Sequence, residues 1–293
     1  MNTVVKRLHG SALLPALLFA VLNCAHAQEP PPTPVAAAPT LPGTFTNPVR
    51  RDAADPWIVY RNGFYYMTHT VGWGVAIRRA LTLAGLGTAP EVKVWHGSGP
   101  GFETYTRDVW APEMHFLDGK WYIYYCATDG PDPNRRVFVL ESKTDDPQGE
   151  YVFKGKLAPT ESDDYAIDPT VYQDPQDKLF LLWSGRPPGG QQTIFIAPMS
   201  NPWTISGPRV KLSSPEYDWE KHGWPVNEGP EVLRHGNKTL VFYSGSGYTT
   251  PEYALGMLTN TDGNLLNPTS WTKSPLPVFT QYQGPDGEVM GTG

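Results

Sequence analysis

The chain has 293 residues, of which 40% are apolar and 12% aromatic, and its 29 acidic and 23 basic side chains give a formal net charge of −6. This apolar content excludes an intrinsically disordered chain, and the length suffices for a sizeable hydrophobic core. The acidic balance argues against a nucleic-acid-binding protein, because such proteins normally present a basic face.

The first 27 residues have the three parts of an export signal. Lys6 and Arg7 precede the apolar run ALLPALLFAVL, and AHA at 25–27 supplies the small residues of a cleavage site. The run is too short for a membrane span. We therefore expect residues 1–27 to be removed and the mature chain, without a membrane span, to be secreted to the periplasm or the extracellular space. An N-terminal anchor helix is the alternative.

Residues 28–43, QEPPPTPVAAAPTLPG, have the composition of a Pro/Ala-rich linker. Such segments are extended and semi-rigid, and they have no packed core. No second linker follows in the sequence. Residues 44–293 are therefore predicted to form one domain.

A pattern recurs four times within this predicted domain. Each copy contains a proline, a short apolar strand, a turn and a second, aromatic strand, and two strands around Asn-Gly or Asp-Gly predict a β-hairpin. The repeat prolines are spaced by 56, 57 and 61 residues, with further strand candidates such as TIFIAPMS and YALGMLTN between the hairpins. The four copies are ADPWIVYRNGFYYMTHT from Ala54, APEMHFLDGKWYIYYCAT from Ala111, IDPTVYQDPQDKLFLLWSG from Ile167 and EGPEVLRHGNKTLVFYSGS from Glu228.

A repeat of about 60 residues with about four short strands is typical of a β-propeller blade. The segment GPDGEVMGTG at 284–293 has the features of the start of a fifth copy. We therefore predict an all-β, five-bladed propeller whose fifth blade is truncated at Gly293. A two-sheet β-sandwich is the alternative, because periodicity alone does not fix ring closure.

The residues before the repeat prolines are candidates for a functional site. In a propeller the first strands of the blades line the central axis, so these residues would converge on one face, which we call the funnel. The positions hold Asp55, Ala111, Asp168 and Gly229, and Glu228 lies beside the last of them. A single Asp-Pro pair is more often a turn. Three converging carboxylates repel one another, which destabilises the fold. Such clusters are therefore found mainly where the carboxylates take part in chemistry or bind a cation.

Carboxylates in an aromatic-rimmed pocket suit glycoside hydrolysis. One carboxylic acid protonates the leaving oxygen, and a carboxylate activates water or attacks directly. A third acid can raise the pKa of the proton donor. Aromatic faces stack on sugars, although each aromatic taken alone is more often a core residue. The candidates for substrate contact are Trp73, Trp110, Trp183, Trp224, Tyr248 and the acid Glu113.

Four motifs together resemble those of family 43 of the glycoside hydrolases. They are NPV followed by ADPWI at 47–58, WAPEMH at 110–115, IDPTVY at 167–172 and VNEGPEVL at 226–233. The resemblance covers residues 45–293 and implies a five-bladed β-propeller that hydrolyses arabinose- and xylose-containing plant polysaccharides with inversion. The stretches NPWTI, SSPEYDWEKHG and LLNPTSWTKSPLPVF are most similar to the exo-acting α-1,5-L-arabinofuranosidase branch.

The resemblance also implies roles for the acids. Asp55 matches the general base, Glu228 the general acid, and Asp168 the third acid that tunes and orients Glu228. Asp52 competes with Asp55 for the role of base but lacks the following proline. The implied substrates are plant arabinan, arabinoxylan or oligosaccharides derived from them. A β-xylosidase, an endo-arabinanase and a non-catalytic sugar-binding propeller are the alternatives.

Two features depart from the family pattern. The family's central calcium or sodium ion usually has a His ligand just past a Gly-x-Gly segment such as GTG at 291–293, and that ligand would lie beyond Gly293. We expect no cofactor to be required for the chemistry, and we assign no metal-binding residue. Asp108, before WAPE, replaces the different polar residue that the arabinofuranosidase branch leads us to expect.

Overall fold

The computed structural model describes residues 45, 47–97, 105–284 and 287–293. The predicted signal peptide at 1–27 and the linker at 28–43 lie outside the described residues, so both stay predictions. In the described part of the chain, no helix is long and apolar enough to cross a membrane.

Regular structure consists of antiparallel strands with four short 3-10 helices between them. The 3-10 helices are Ala84–Gly87, Asp132–Asn134, Asp218–Glu220 and Pro268–Ser270. The strands are β1 (Trp57–Arg61), β2 (Phe64–Thr68), β3 (Val75–Ala80), β4 (Val92–Trp95), β5 (Arg107–Leu117), β6 (Lys120–Thr128), β7 (Arg136–Ser142), β8 (Tyr151–Leu157), β9 (Tyr165–Gln173), β10 (Leu179–Arg186), β11 (Thr193–Asn201), β12 (Thr204–Ile205), β13 (Val210–Ser213), β14 (Asn227–His235), β15 (Lys238–Gly245), β16 (Ala254–Asn260), β17 (Trp271–Lys273), β18 (Tyr282–Gly284) and β19 (Gly287–Val289).

The strands assemble into four sheets in chain order. Sheet I contains β1–β4, sheet II β5–β8, sheet III β9–β13 and sheet IV β14–β17. In sheet III both β12 and β13 pair with β11, and β18 and β19 form a separate hairpin. The four predicted repeats are therefore the first two strands of the four sheets.

Two tight turns explain why the first hairpins form where the sequence predicts them. The Asn62-Gly63 turn has φ angles of 52° and 83°, and the Asp118-Gly119 turn has φ angles of 49° and 80°. Positive φ at both central residues is typical of a type I′ turn, whose twist matches that of the paired strands. Asn, Asp and Gly adopt this conformation more easily than other residues.

The core lies between neighbouring sheets, as strand β10 illustrates. Its sequence LFLLWSGR is apolar over five consecutive residues, because side chains alternate between two buried faces. Leu179, Leu181 and Trp183 pack in the core shared with sheet II, whereas Phe180 and Leu182 pack in the core shared with sheet IV. A third core joins sheets I and II.

The sheets follow one another as propeller blades. The first strands are in contact in succession, β1 with β5, β5 with β9 and β9 with β14. A backbone contact also recurs, since the N–H groups of Ala166, Asn227 and Gly293 donate to the carbonyls of Arg135, Gln192 and Tyr253, each at 3.1 Å. The described residues thus form an all-β propeller with four blades, and the β-sandwich alternative is wrong. The count of five blades stays a prediction.

The four equivalent repeat positions share one backbone conformation. Asp55, Ala111, Asp168 and Gly229 have φ angles of 50°, 45°, 52° and 56°, and each is followed by proline. Asp and Gly tolerate this left-handed region better than most residues. Ala111 has no such advantage, so the repeated feature is the backbone path and not the residue type.

Candidate active site

A β-bulge near the start of β5, β9 and β14 aims side chains into the funnel. At each bulge the repeat residue and its proline oppose a single residue of the neighbouring strand. Bulges bend a strand and redirect its side chains, and they are common beside active sites. In β9 the bulge begins at Asp168, and in β14 it begins at Gly229, directly after Glu228.

Glu228 is half-buried and held at both carboxyl oxygens. Gln192 Nε2 donates to Oε2 at 2.7 Å, and the Tyr253 hydroxyl donates to Oε1 at 3.0 Å. Burial raises the pKa of Glu228, the two donors oppose this by stabilising the carboxylate, and the charge of Asp55 raises the pKa further. The outcome is a raised pKa, so Glu228 keeps its proton to a higher pH than an ordinary glutamate.

Asp168 connects blade III to the residue that follows Glu228. Its Oδ2 accepts a hydrogen bond of 3.0 Å from the N–H of Gly229. Burial raises the pKa of Asp168 well above its ordinary value, and the charges of Glu228 and Asp55 act in the same direction. The structure therefore brings the three acids singled out from the sequence within electrostatic reach of one another.

Asp55 is exposed, and one of its oxygens has a fixed partner. The Thr70 hydroxyl donates to Asp55 Oδ2 and itself accepts from the N–H of Ala111 at 2.9 Å. The N–H of Thr70 donates to the carbonyl of Ala54 at 2.9 Å. The carboxylate is thus oriented by blades I and II while it remains accessible to water.

The aromatic candidates divide into exposed and buried rings. Trp73 and Tyr248 are 42% and 67% exposed. Trp110 is half-buried, and the guanidinium carbon of Arg135 lies 3.3 Å from its ring centroid. Trp183 is only 3% exposed and packs in the core between sheets II and III. The prediction of substrate contact for Trp183 is therefore wrong, because neither ring face is open to a sugar.

Tyr248 belongs to an aromatic corner with Trp224, which is 39% exposed. The two rings meet edge to face with centroids 5.6 Å apart. The N–H of Gly247 donates to the carbonyl of His222 at 2.8 Å and so ties together the two loops that carry the rings. Both loops adjoin the ends of β14 and β15 nearest Glu228.

Glu113 lies among protein partners and not on the exposed funnel surface. Its Oε2 is 3.0 Å from His115 Nε2. Burial raises the pKa of Glu113 well above its ordinary value, and a hydrogen bond from the Thr170 side chain opposes the shift. The charge of Glu113 also raises the pKa of Asp168. Its carboxyl group thus lies between His115 of the same strand and Thr170 of β9, and a direct substrate contact stays a prediction.

Comparison with known proteins identifies the family. The family model described as glycosyl hydrolases family 43 matches residues 45–293. The chain belongs to glycosyl hydrolase family 43. This match confirms the resemblance to family 43 that the four sequence motifs indicated.

Relatives within family 43 include two from Streptomyces. The chain is 40% identical to the extracellular exo-α-(1→5)-L-arabinofuranosidase of Streptomyces avermitilis, over 95% of this chain and 57% of that protein. It is 39% identical to the protein of the same name from Streptomyces chartreusis, over 84% of this chain and 76% of the relative. The chain thus spans little more than half the length of the first relative.

A solved structure with the same fold is the α-L-arabinofuranosidase from Lactobacillus brevis. The two chains are 36% identical, with a TM-score of 0.74 over 80% of this chain and 79% of that one. The likeness extends the family 43 assignment to the three-dimensional arrangement of the blades.

Three partners of the family 43 acids escaped sequence reasoning, namely Thr70, Gln192 and Tyr253. Gln192 directly precedes β11 and Tyr253 directly precedes β16, the third strands of their blades. Arg135 occupies the same position before β7, and Gly74 before β3. The sequence could have pointed to Gln192 and Tyr253, because the strands that follow them were predicted from the segments TIFIAPMS and YALGMLTN. The polar residue at the entrance of each strand was overlooked.

Asp108, the departure from the expected branch pattern, has a structural partner. Its Oδ2 accepts from Arg135 Nη2 at 3.1 Å, and Asp132 Oδ1 accepts from Arg135 Nε at 2.8 Å. The two carboxylates hold the guanidinium over the ring of Trp110. Asp108 therefore helps to hold Arg135 against the Trp110 ring.

A metal site was tested against the described residues. In that part of the chain, no group of three or more His, Cys, Asp or Glu side chains could hold a metal ion. Glu113 and His115 bond to each other, with His115 Nε2 3.0 Å from Glu113 Oε2. Calcium and sodium require several oxygen ligands. A structural calcium or sodium ion therefore stays an expectation, and no step below depends on one.

Proposed function

We propose that this family 43 protein is an inverting exo-α-1,5-L-arabinofuranosidase that releases terminal L-arabinofuranose from arabinan or arabino-oligosaccharides. The observation that supports this most strongly is the combination of Glu228, whose pKa is raised by burial, with the exposed carboxyl group of Asp55, which Thr70 orients. Relatives that carry this activity in their names are 39% and 40% identical to the chain.

Glu228 is assigned as the general acid. Its raised pKa lets it enter the reaction protonated, and it gives that proton to the glycosidic oxygen as the bond from this oxygen to the anomeric carbon breaks. The leaving sugar then departs as a neutral alcohol. Gln192 and Tyr253 stabilise the carboxylate that remains.

Asp55 is assigned as the general base. Thr70 occupies Oδ2 and fixes the carboxylate plane, which leaves Oδ1 to accept a proton from water. The water oxygen bonds to the anomeric carbon from the face opposite the leaving group and transfers its proton to Asp55. The product would therefore be β-L-arabinofuranose from an α-linked substrate.

Asp168 is assigned as the residue that tunes and orients the acid. Its bond to the N–H of Gly229 fixes the chain on the far side of Glu228. A negative charge on Asp168 would favour the protonated form of Glu228, since like charges raise one another's pKa.

The exposed rings supply surfaces for the sugar. Trp73 and the corner formed by Trp224 and Tyr248 present apolar faces of the kind that stack on pentose rings. Trp110 stays a candidate for substrate contact, although Arg135 covers part of its ring. We further propose secretion, supported by the export signal at 1–27 and by relatives described as extracellular.

The test compares the parent chain with Glu228→Ala on α-1,5-arabinobiose, xylobiose and linear arabinan. We expect arabinose from the first and third substrates and a loss of at least about 100-fold in kcat in the variant, because general acid catalysis contributes about 10²–10⁴-fold. Glu150→Ala, which removes an exposed carboxylate that pairs with Lys143, is the matched control. Parental turnover by Glu228→Ala would contradict the assignment of the acid.

The three alternatives give different products in the same assay. Xylose from xylobiose would indicate a β-xylosidase, and a ladder of oligosaccharides from arabinan would indicate an endo-arabinanase. Binding of arabino-oligosaccharides without release of sugar by a folded parent chain would indicate a sugar-binding propeller.

A further inference from the structure

Glu220 is a buried carboxylate that the proposed mechanism does not use. It ends the 3-10 helix Asp218–Glu220 and is 0% exposed. Both oxygens are saturated with donors. Oε1 accepts from Asn227 Nδ2 and from the Tyr243 hydroxyl, each at 2.9 Å, and forms an ion pair with Lys273 Nζ at 2.7 Å. Oε2 accepts from Lys273 Nζ at 2.9 Å and from the N–H groups of Glu216 at 2.7 Å and Tyr217 at 2.8 Å.

Asn227, the residue before Glu228, is as tightly fixed as Glu220. It is fully buried, and each of its polar groups has a partner from a different part of the fold. Its N–H donates to the Gln192 carbonyl at 3.1 Å and its Nδ2 to Glu220, while its carbonyl accepts from Ser184 Oγ at 2.8 Å and its Oδ1 from Ser213 Oγ at 2.7 Å.

Stability alone does not account for this arrangement. A buried ion pair such as Glu220 with Lys273 often contributes no more to stability than well-packed apolar side chains would, because both charges lose their hydration. What the pair adds is a fixed, charged acceptor for the Asn227 amide. A charged acceptor makes a stronger and more directional hydrogen bond than a neutral one.

The contacts surround Glu228 on three sides. Asn227 fixes the backbone before it, and the bond from Gly229 to Asp168 fixes the backbone after it. Gln192 contacts both Asn227 and Glu228, because its carbonyl accepts from the Asn227 N–H while its side-chain amide donates to the Glu228 carboxyl group. Movement of Asn227 would therefore displace both the acid and one of its two donors.

We propose that Glu220 is a positioning residue that acts through Asn227 to hold the Glu228 carboxyl group at the distance from which it can protonate the leaving oxygen. This inference rests on the proposed function of Glu228 as general acid. Proton transfer requires heavy atoms about 2.6–3.2 Å apart, and a misplacement of about 1 Å can cost about 100-fold in rate. Loss of positioning should therefore impair protonation of the leaving group more than the attack of water.

The experiment compares two arabinofuranosides that differ in their need for an acid. The leaving group of arabinobiose is a sugar alcohol, which must receive a proton as it departs. The leaving group of 2,4-dinitrophenyl α-L-arabinofuranoside is a stable phenolate, which needs no proton. We expect Glu220→Gln to lower kcat for arabinobiose by about 10- to 100-fold with little change in KM. The kcat for the dinitrophenyl substrate should stay close to that of the parent.

Two further variants keep the test decisive. Ser213→Ala removes a contact of Asn227 without disturbing a charge and should give the same selective loss, to a smaller extent. If Glu220→Gln does not fold, the Ser213→Ala variant still tests whether Asn227 positions the acid. Glu141→Gln makes the same substitution in blade II, at a carboxylate bonded to Lys120 and Tyr122, and should leave both substrates unaffected.

The outcomes separate the inference from the function on which it rests. Equal losses on both substrates, or no loss in a folded variant, would overturn the positioning role while leaving the acid in place. A parent chain that hydrolyses neither substrate would overturn the proposed function and this inference with it. Selective loss on arabinobiose supports both.

Discussion

Glu228 has partners that act on its pKa in opposite directions. Burial and the charge of Asp55 favour the protonated form, whereas Tyr253 and Gln192 favour the carboxylate. A general acid needs both influences, because it must carry a proton into the reaction and be stable without it afterwards. The two donors therefore set how far above the ordinary glutamate value, about 4.3, the pKa lies.

Removal of the Tyr253 hydroxyl tests this balance. Tyr253→Phe deletes a donor that stabilises the carboxylate, so the pKa of Glu228 should rise further. The alkaline limb of the kcat/KM profile, where the acid loses its proton, should move to higher pH. The measurement is a pH profile on arabinobiose for the variant, the parent and the control Tyr60→Phe, which alters an exposed tyrosine in blade I. An unmoved limb, or one at lower pH, would count against the account.

Strands β5 and β14 bring a second set of titratable groups together. Burial, followed by the charge of Glu113, raises the pKa of Glu231 to about 8, and burial lowers the pKa of His115 to about 4. The His115 ring also packs against Trp57, with centroids 4.8 Å apart. In the fold, Glu231 is therefore neutral between about pH 4.3 and 8 and His115 between about pH 4 and 6.5, where each would be charged in the unfolded chain.

Glu231→Gln should stabilise the fold at alkaline pH. Between about pH 4.3, where an unfolded glutamate ionises, and about 8, folded Glu231 keeps a proton that the unfolded chain has released. Its contribution to stability therefore falls as pH rises through this window, and glutamine does not titrate. The difference in Tm between variant and parent should grow from pH 5 to pH 8, with exposed Glu252→Gln as control. A constant difference would mean that Glu231 does not titrate in this window.

The sequence identified the elements that carry the acids, and the reason is their periodicity. Proline spacing marked every first hairpin, Asn-Gly or Asp-Gly turns marked the first two, and the position before each proline identified Asp55 and Asp168. Glu228 lies one residue before this position and was included for that reason, whereas its role as general acid came from the family motif. Local sequence patterns were sufficient to find the acids that lie at or next to the repeat positions.

Contacts between blades were beyond the reach of the sequence. Trp183 and Trp110 both lie near strand ends, yet one is a core residue and the other lies beneath Arg135. Glu113 was selected because it is close to a repeat proline, but the sequence did not show that its carboxyl group would bond to His115, two residues along the same strand. Which face of a strand becomes funnel and which becomes core depends on packing between sheets.

The whole site is a product of ring assembly. Asp55 and Thr70 come from blade I, Asp168 and Gln192 from blade III, and Glu228 from blade IV, with the three inter-blade cores fixing their separation. Glu228 and Asp168 each bond to a group from the neighbouring blade, Gln192 and the N–H of Gly229 respectively. Loss of packing between blades should therefore abolish activity before the chain unfolds completely.

The measurement that tests the central claim most directly is proton NMR of linear α-1,5-arabino-oligosaccharides during hydrolysis by the purified chain. The account predicts that free arabinose appears first as the β-furanose anomer, while the oligosaccharide shortens by one residue at a time. Early appearance of the α anomer would show retention and contradict Asp55 as a base that activates water. A cooperatively folded chain that releases no arabinose would contradict the proposed function itself.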